Sequence, residues 1–87
     1  AQIEYIQGLK DYLKIHICNT NKTILTLMSF KEIMSKLPPN QFLRVHKSYI
    51  VNVNYIKTVQ RNRIVINDMR IPIGDSHKEA FFSILGL

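Results

Sequence analysis

At 87 residues the chain holds one domain with a single modest core and is too short for an enzyme active site with its own lid. Its 46% apolar content is enough to fold, while 12 Lys and Arg against six Asp and Glu leave +6 and make a polyanion the leading partner class. A single cysteine, Cys18, excludes an internal disulfide and a multi-cysteine zinc site and points to a reducing compartment, the cytoplasm. There is no signal-peptide pattern and no apolar run near the roughly 20 residues of a membrane span, so no membrane association is expected. The start at Ala1, without methionine, is what a piece of a longer protein would show.

In chain order, Ile3 to Ile6 is a short apolar run, and Gly8-Leu9-Lys10-Asp11 reads as the turn after it. Leu13, Ile15 and Ile17 then alternate with Tyr12, Lys14, His16 and Cys18, the period of two of a half-buried strand. Asn19-Thr20-Asn21-Lys22 supplies a reversal, and Thr23 to Leu27 returns as the second arm of a hairpin. At Ser29 the period changes. Ser29 and Glu32 form a capping box with Met28 and Ile33 as its staple, and Phe30, Ile33, Met34 and Leu37 give one apolar face to a helix of about two turns, stopped by Pro38-Pro39. Such a short amphipathic helix is expected to cover the core.

Phe42 to Ile56 is the most strand-like stretch, broken by Arg44, His46, Lys47 and Ser48 into two apolar runs with a turn between them that presents charge outward. Lys57 to Arg61 and Arg63 to Ile66 read as two further strands, Asn67-Asp68 as a hairpin turn, and Met69 to Ile73 as a last strand that Pro72 places at an edge or end. Ser76 and Glu79 repeat the capping-box spacing before a second helix. Its buried stripe is expected to be Ala80, Phe81, Ile84 and Leu85, with Gly86 as the stop. The pattern predicts a mostly β fold of antiparallel sheets with two short α-helices, with too many strands for βαβ units.

The chemistry is non-catalytic on this reading. His16, His46 and His77 lack metal-ligand spacing, no glycine-rich phosphate loop exists, and Asp75-Ser76-His77 are sequence neighbours whose side chains diverge, so no enzyme, metal or cofactor is expected. What remains is the basic set. Residues 41 to 74 carry Arg44, Lys47, Lys57, Arg61, Arg63 and Arg70 against Asp68 alone, which places +5 of the +6 in this stretch. Arg61, Arg63 and Arg70 fit exposed charges that keep short hairpins soluble and discourage edge pairing. Arg44, His46, Lys47 and Ser48 differ, because they put hydrogen-bonding side chains into a run that could have been all core, and such groups neutralise phosphates or read base edges.

Phe42-Leu43-Arg44-Val45-His46-Lys47-Ser48-Tyr49-Ile50-Val51-Asn52 resembles the hallmark Phe-x-Arg-x-His-Arg-Ser-x-x-Val-Asn of LytTR domains, the DNA-binding output domains of LytR/AlgR-type response regulators. The resemblance extends from Ile3 to Asp11-Tyr12, through Leu37-Pro38-Pro39 and Asn54-Tyr55-Ile56, to Ile71-Pro72-Ile73. It implies a LytTR-like stack of antiparallel sheets whose loops enter successive DNA grooves. Three places correspond: Lys10 with Asp11 and Tyr12; His46, Lys47 and Ser48 with Arg44; and Gly74, Asp75 and Ser76 with Lys78. It also implies double-stranded DNA with repeated half-sites as partner, a dimer on that DNA, and a fused receiver or sensory domain outside this chain. Two departures stand out. Lys47 replaces the usual Arg, keeping charge but losing the planar fork, and Gly74-Asp75 stands where many members have Ser-Arg. Asp75 either accepts from a cytosine amino group or adds favourable negative charge at a helix start.

Two other classes fit the residues alone. A protein-interaction module docking a sensor domain would use sheet edges or helix faces, with its charge serving solubility. Single-stranded RNA binding would need exposed aromatics for stacking, for which Tyr12, Tyr49 and Tyr55 are the candidates.

Overall fold

Period-two alternation becomes two antiparallel sheets in the computed structural model, which describes residues 3–18 and 22–86. Strands β1 (Ile3–Gly8), β2 (Leu13–Ile17), β3 (Thr23–Thr26), β4 (Phe42–His46) and β5 (Tyr49–Asn52) form a five-stranded sheet in the order β3-β2-β1-β5-β4. Strands β6 (Thr58–Gln60), β7 (Arg63–Ile66) and β8 (Met69–Pro72) form a three-stranded meander. Helix α1 (Phe30–Lys36) follows β3, and helix α2 (Lys78–Leu85) closes the chain. The proposed reversal at Asn19–Asn21 lies outside the described residues, but the strands it joins do pair, Ile15 opposite Ile24.

Strands β1, β4 and β5 of the larger sheet are covered on both faces, because neighbouring residues of each feed different cores. Tyr5, Val45 and Val51 join Ile64, Ile66, Ile71, Ile73 and Phe81 in a core between the two sheets and α2. Ile6, Leu13, Ile15, Phe42 and Ile50 point the other way and pack with Ile33 under α1. The first helix is therefore a core lid, as its stripe predicts. Its capping box is present: the Glu32 N–H donates to Ser29 Oγ at 3.1 Å and the Ser29 N–H to Glu32 Oε1 at 3.2 Å. Within the meander, Arg61 and Asn62 both take positive φ in the β6–β7 turn, and Asn67 does so in the β7–β8 turn, where the Asn67 amide also donates to the buried Glu4.

Three local expectations give way to tertiary contacts. The apolar run after Ser48 does not stay extended to Ile56. Asn52 is fully buried, its amide donates to the Ile3 carbonyl at 2.8 Å, and its Oδ1 accepts from the Asn54 N–H at 3.0 Å, turning Val53–Tyr55 into a 3₁₀ turn. Removing that amide would leave buried groups unpaired, a loss of about 1–3 kcal/mol. The second capping box does not form. Gly74–His77 closes first as a 3₁₀ turn, with the His77 N–H donating to the Gly74 carbonyl at 2.9 Å, so α2 starts at Lys78 and Ser76 lies too early to cap it. The buried stripe of α2 is accordingly rotated: Phe81 is buried, Phe82 and Leu85 pack against the core, and Ala80 and Ile84 are exposed. Gly86 ends the helix as expected, at φ 74.

The polar face of β2 is likewise not simply solvated. His16 stacks on Tyr5 with ring centroids 4.0 Å apart, and Cys18 at the strand end hydrogen-bonds the Tyr55 hydroxyl, which lies above its usual pKa chiefly through that bond. Burial, with Lys14 beside it, lowers the His16 pKa. The unfolded chain therefore binds a proton at His16 more readily than the folded one, so this contribution to stability is complete above pH about 6.5 and is lost as pH falls from there through the lower native value. We expect thermal unfolding scans between pH 7.5 and 5.5 to show a smaller drop in Tm for His16→Phe, which keeps the ring stack, than for the wild-type chain.

Candidate nucleic-acid interface

The strand order brings the three sequence-predicted places to one edge. β1 lies between β2 and β5, with Gly8 opposite Leu13 and Gln7 opposite Tyr49, so the β1–β2 turn (Leu9 to Tyr12) and the β4–β5 turn (Lys47-Ser48) leave the sheet side by side. The Gly8 N–H donates to the Ser48 carbonyl at 2.7 Å and ties them together. Between them and the start of α1 lies an open cleft of ≈ 460 Å³, lined by Lys10, Asp11, Tyr12, Lys47, Ser48 and Phe30 among others.

The third place is attached through a bulge. Register shifts between Arg44 and His46, which leaves Val45 as the extra residue, and its carbonyl accepts from the Gly74 N–H at 2.7 Å. A Cβ on Gly74 would sit 3.2 Å from His77 Cδ2 and 3.5 Å from His46 Cα, so glycine permits this approach. Asp75 and Ser76 follow directly, both exposed, on the 3₁₀ turn beside the end of β4.

The side chains then divide by role. The Arg44 guanidinium lies 4.7 Å from the Phe30 ring centroid and donates from Nη2 to the Lys47 carbonyl at 3.0 Å and from Nε to the His46 carbonyl at 3.4 Å. His46 Nδ1 accepts from the Ser48 N–H at 3.1 Å, and its ring meets Tyr49 edge-on at 5.7 Å. Arg44, itself exposed, and the half-buried His46 both bond groups of the turn and brace it. Lys47, Lys10 and Tyr12 are exposed, and Ser48 is half-buried. Asp75 is not an isolated carboxylate: it pairs with Lys78 Nζ at 3.0 Å while remaining almost wholly exposed. Tyr49 and Tyr55 are partly buried against the core between the sheets, which leaves Tyr12 as the exposed aromatic of the three RNA-stacking candidates. The bracing role of Arg44 and His46 was hidden in the sequence, where polar side chains beside a turn look alike whether or not they bond it.

Comparison with known proteins decides the family. The family model of the LytTr DNA-binding domain matches residues 1–86. The chain belongs to the LytTr DNA-binding domain family. This LytTr domain is 30% identical over 88 residues to an uncharacterized response regulatory protein of Vibrio cholerae, covering 92% of the chain and 33% of that protein. It is 31% identical over 77 residues to the transcriptional regulatory protein LytR of Staphylococcus aureus, covering 82% of the chain and 31% of that protein. A solved LytTr DNA-binding domain, from a Bacillus cereus protein described as a methyl-accepting/DNA response regulator, superposes with a TM-score of 0.86 at 25% identity, over 99% of this chain and 83% of that one. The chain spans about a third of the length of the curated relatives it matches.

If Arg44 braces the turn of this LytTr domain, Arg44→Ala will speed amide hydrogen exchange at residues 47–49 several-fold. Exchange in β2 and α1 should stay as in the wild type, and stability should fall by only about 1 kcal/mol.

Proposed function

We propose that this LytTr domain binds specific sequences in double-stranded DNA as the output part of a cytoplasmic, non-catalytic transcription regulator of the response-regulator type. The 87 residues act as one binding unit, joined in the whole protein to a receiver or sensory domain. Family membership supports DNA as the partner, and the names of the Vibrio and Staphylococcus relatives support the regulatory setting. Among the described residues no helix is long and apolar enough to cross a membrane.

The observation that carries the reading is the alignment of three turns on one edge, joined by two backbone hydrogen bonds of 2.7 Å. Lys10, Tyr12, Lys47, Ser48 and Ser76 are the side chains assigned to contact DNA, Lys47 as a point charge on a phosphate, because it lacks the fork that reads guanine. Arg44 and His46 are assigned to positioning. Asp75 and Lys78 act as a pair, in which Lys78 offsets the repulsion that a bare carboxylate would meet beside phosphates. The longest extent of the chain is 33 Å, about one turn of B-DNA, so repeated half-sites call for two copies.

A second reading, a module that docks another domain, draws on β3, an edge strand with Ile24 and Leu25 exposed. It predicts no retention of duplex at physiological salt. On the DNA reading, Lys47→Ala weakens binding to a duplex enriched from random sequence by about tenfold, roughly 1.4 kcal/mol, and Lys47→Arg restores it. Equal affinity for Lys47→Ala and wild type in a gel-shift titration would remove Lys47 from the interface.

A further inference from the structure

The turns of the proposed edge are poor in net charge. Lys10, Arg44, Lys47 and Lys78 are offset there by Asp11 and Asp75, leaving +2, although the chain as a whole carries +6. Arg61, Arg63 and Arg70, three of the eight remaining cations, lie together in the other sheet and its β6–β7 turn. On its outer face Val65 is paired with Arg70 and Thr58, and Arg63 with Pro72 and Gln60, two rows of side chains pointing away from the core that Ile64, Ile66 and Ile71 fill. Arg61, Arg63 and Arg70 line a concavity of ≈ 310 Å³ together with Gln60 and Val65, and no acidic side chain lines it.

All three arginines are exposed, and among the described residues none of their guanidinium groups has a hydrogen-bond or ion-pair partner. Like charges gathered around one hollow repel each other, so solubility alone would be served better by spreading them out. A guanidinium is suited to a phosphate by its planar fork of donors. The hollow is also connected to the edge. The Ile73 N–H donates to the Asn62 carbonyl at 3.1 Å, and the next residue, Gly74, is the one bonded to Val45. The β6–β7 turn that carries Arg61 therefore opens toward the same end of the molecule as the three turns, with Arg63 in the first row behind it and Arg70 one row further, about 7 Å along the strand.

We propose that Arg61, Arg63 and Arg70 form a phosphate-binding surface that holds the duplex flanking the core site, so that the edge turns read the site while the three-stranded sheet supplies most of the charge neutralisation. This rests on the DNA reading above. It gives a physical role to the arginines that the sequence presents as mere solubilising charge. It also accounts for how an edge bearing two carboxylates approaches a polyanion. An acidic protein surface would fit the same hollow, but the duplex is favoured by continuity with the Gly74 turn.

The test uses the 87-residue chain and a duplex core enriched by selection from random sequence, prepared as 20-bp and 40-bp versions. Arg61→Gln/Arg63→Gln/Arg70→Gln keeps the side-chain stems, and the corresponding triple Lys variant keeps the charge. Circular dichroism confirms that each folds. Between 50 and 200 mM salt, the triple Gln variant should lower the magnitude of the slope of log K against log salt by about 2 to 3, from three contacts at about 0.9 each. It should also lose the gain in affinity that the wild type shows on the 40-bp duplex, while ranking core sequences as before. The triple Lys variant should recover the slope. If selection with the wild type enriches no core, the DNA reading itself fails. If a core is enriched and the triple Gln variant keeps the wild-type slope and flank effect, the phosphate surface is overturned while DNA binding stands. The same holds if that variant binds DNA normally but loses transcriptional output in the full regulator, which assigns the hollow to an acidic protein partner.

Discussion

The β4–β5 turn is held from both sides, and the rest of the proposed interface depends on that. The Gly8 N–H reaches the Ser48 carbonyl and the Gly74 N–H reaches the Val45 carbonyl, each at 2.7 Å, so segments far apart in sequence meet on a two-residue turn. Val45 is available because the bulge takes its carbonyl out of the ladder. Arg44, from the exposed side, and His46 then bond the turn's carbonyls and its Ser48 N–H. A short turn fixed in this way presents Lys47 and Ser48 with little conformational freedom left to lose on binding, which is the condition for a loop to act as a reading element.

That rigidity needs a stiff base, and strands β1, β5 and β4 provide one by being covered on both faces. Tyr5 and Ile6, adjacent in β1, enter different cores, one closed by the meander and α2, the other by α1. A chain of this size has little area to spare, yet it fills two cores from one sheet by sending neighbouring apolar residues of its central strands to opposite faces. The cost falls on the periphery: β3 is left as an edge with Ile24, Leu25 and the following Leu27 exposed. Buried polar ties hold the layers in register, with Glu4 receiving Asn67 from the β7–β8 turn and Asn52 closing on Ile3.

Much of this was legible in the sequence wherever local pattern decides the outcome. The alternation of β2, the Ser29–Glu32 box, the Pro38 stop and the charged break after His46 all encode their own structure. The hallmark run from Phe42 to Asn52 carried the family and with it the three loops. What stayed hidden depends on residues distant in sequence. Val53 to Tyr55 looks like strand until Asn52 is seen to be buried and bonded to Ile3, and Ser76 looks like a helix cap until Gly74 is seen to be held by Val45. Arg44 and Arg63 are the same residue type in similar surroundings by sequence. Only the fold shows that one donates to its own turn while the other faces a hollow without a partner.

Backbone amide shifts of the labelled chain, followed as an enriched duplex is added, test the central claim most directly. Changes are expected at residues 10–12, 46–48 and 74–78, joined by 61–63 and 70 when the duplex extends beyond the core, with β3 and the outer face of α1 unmoved. Changes centred on β3 with those three segments silent would contradict it.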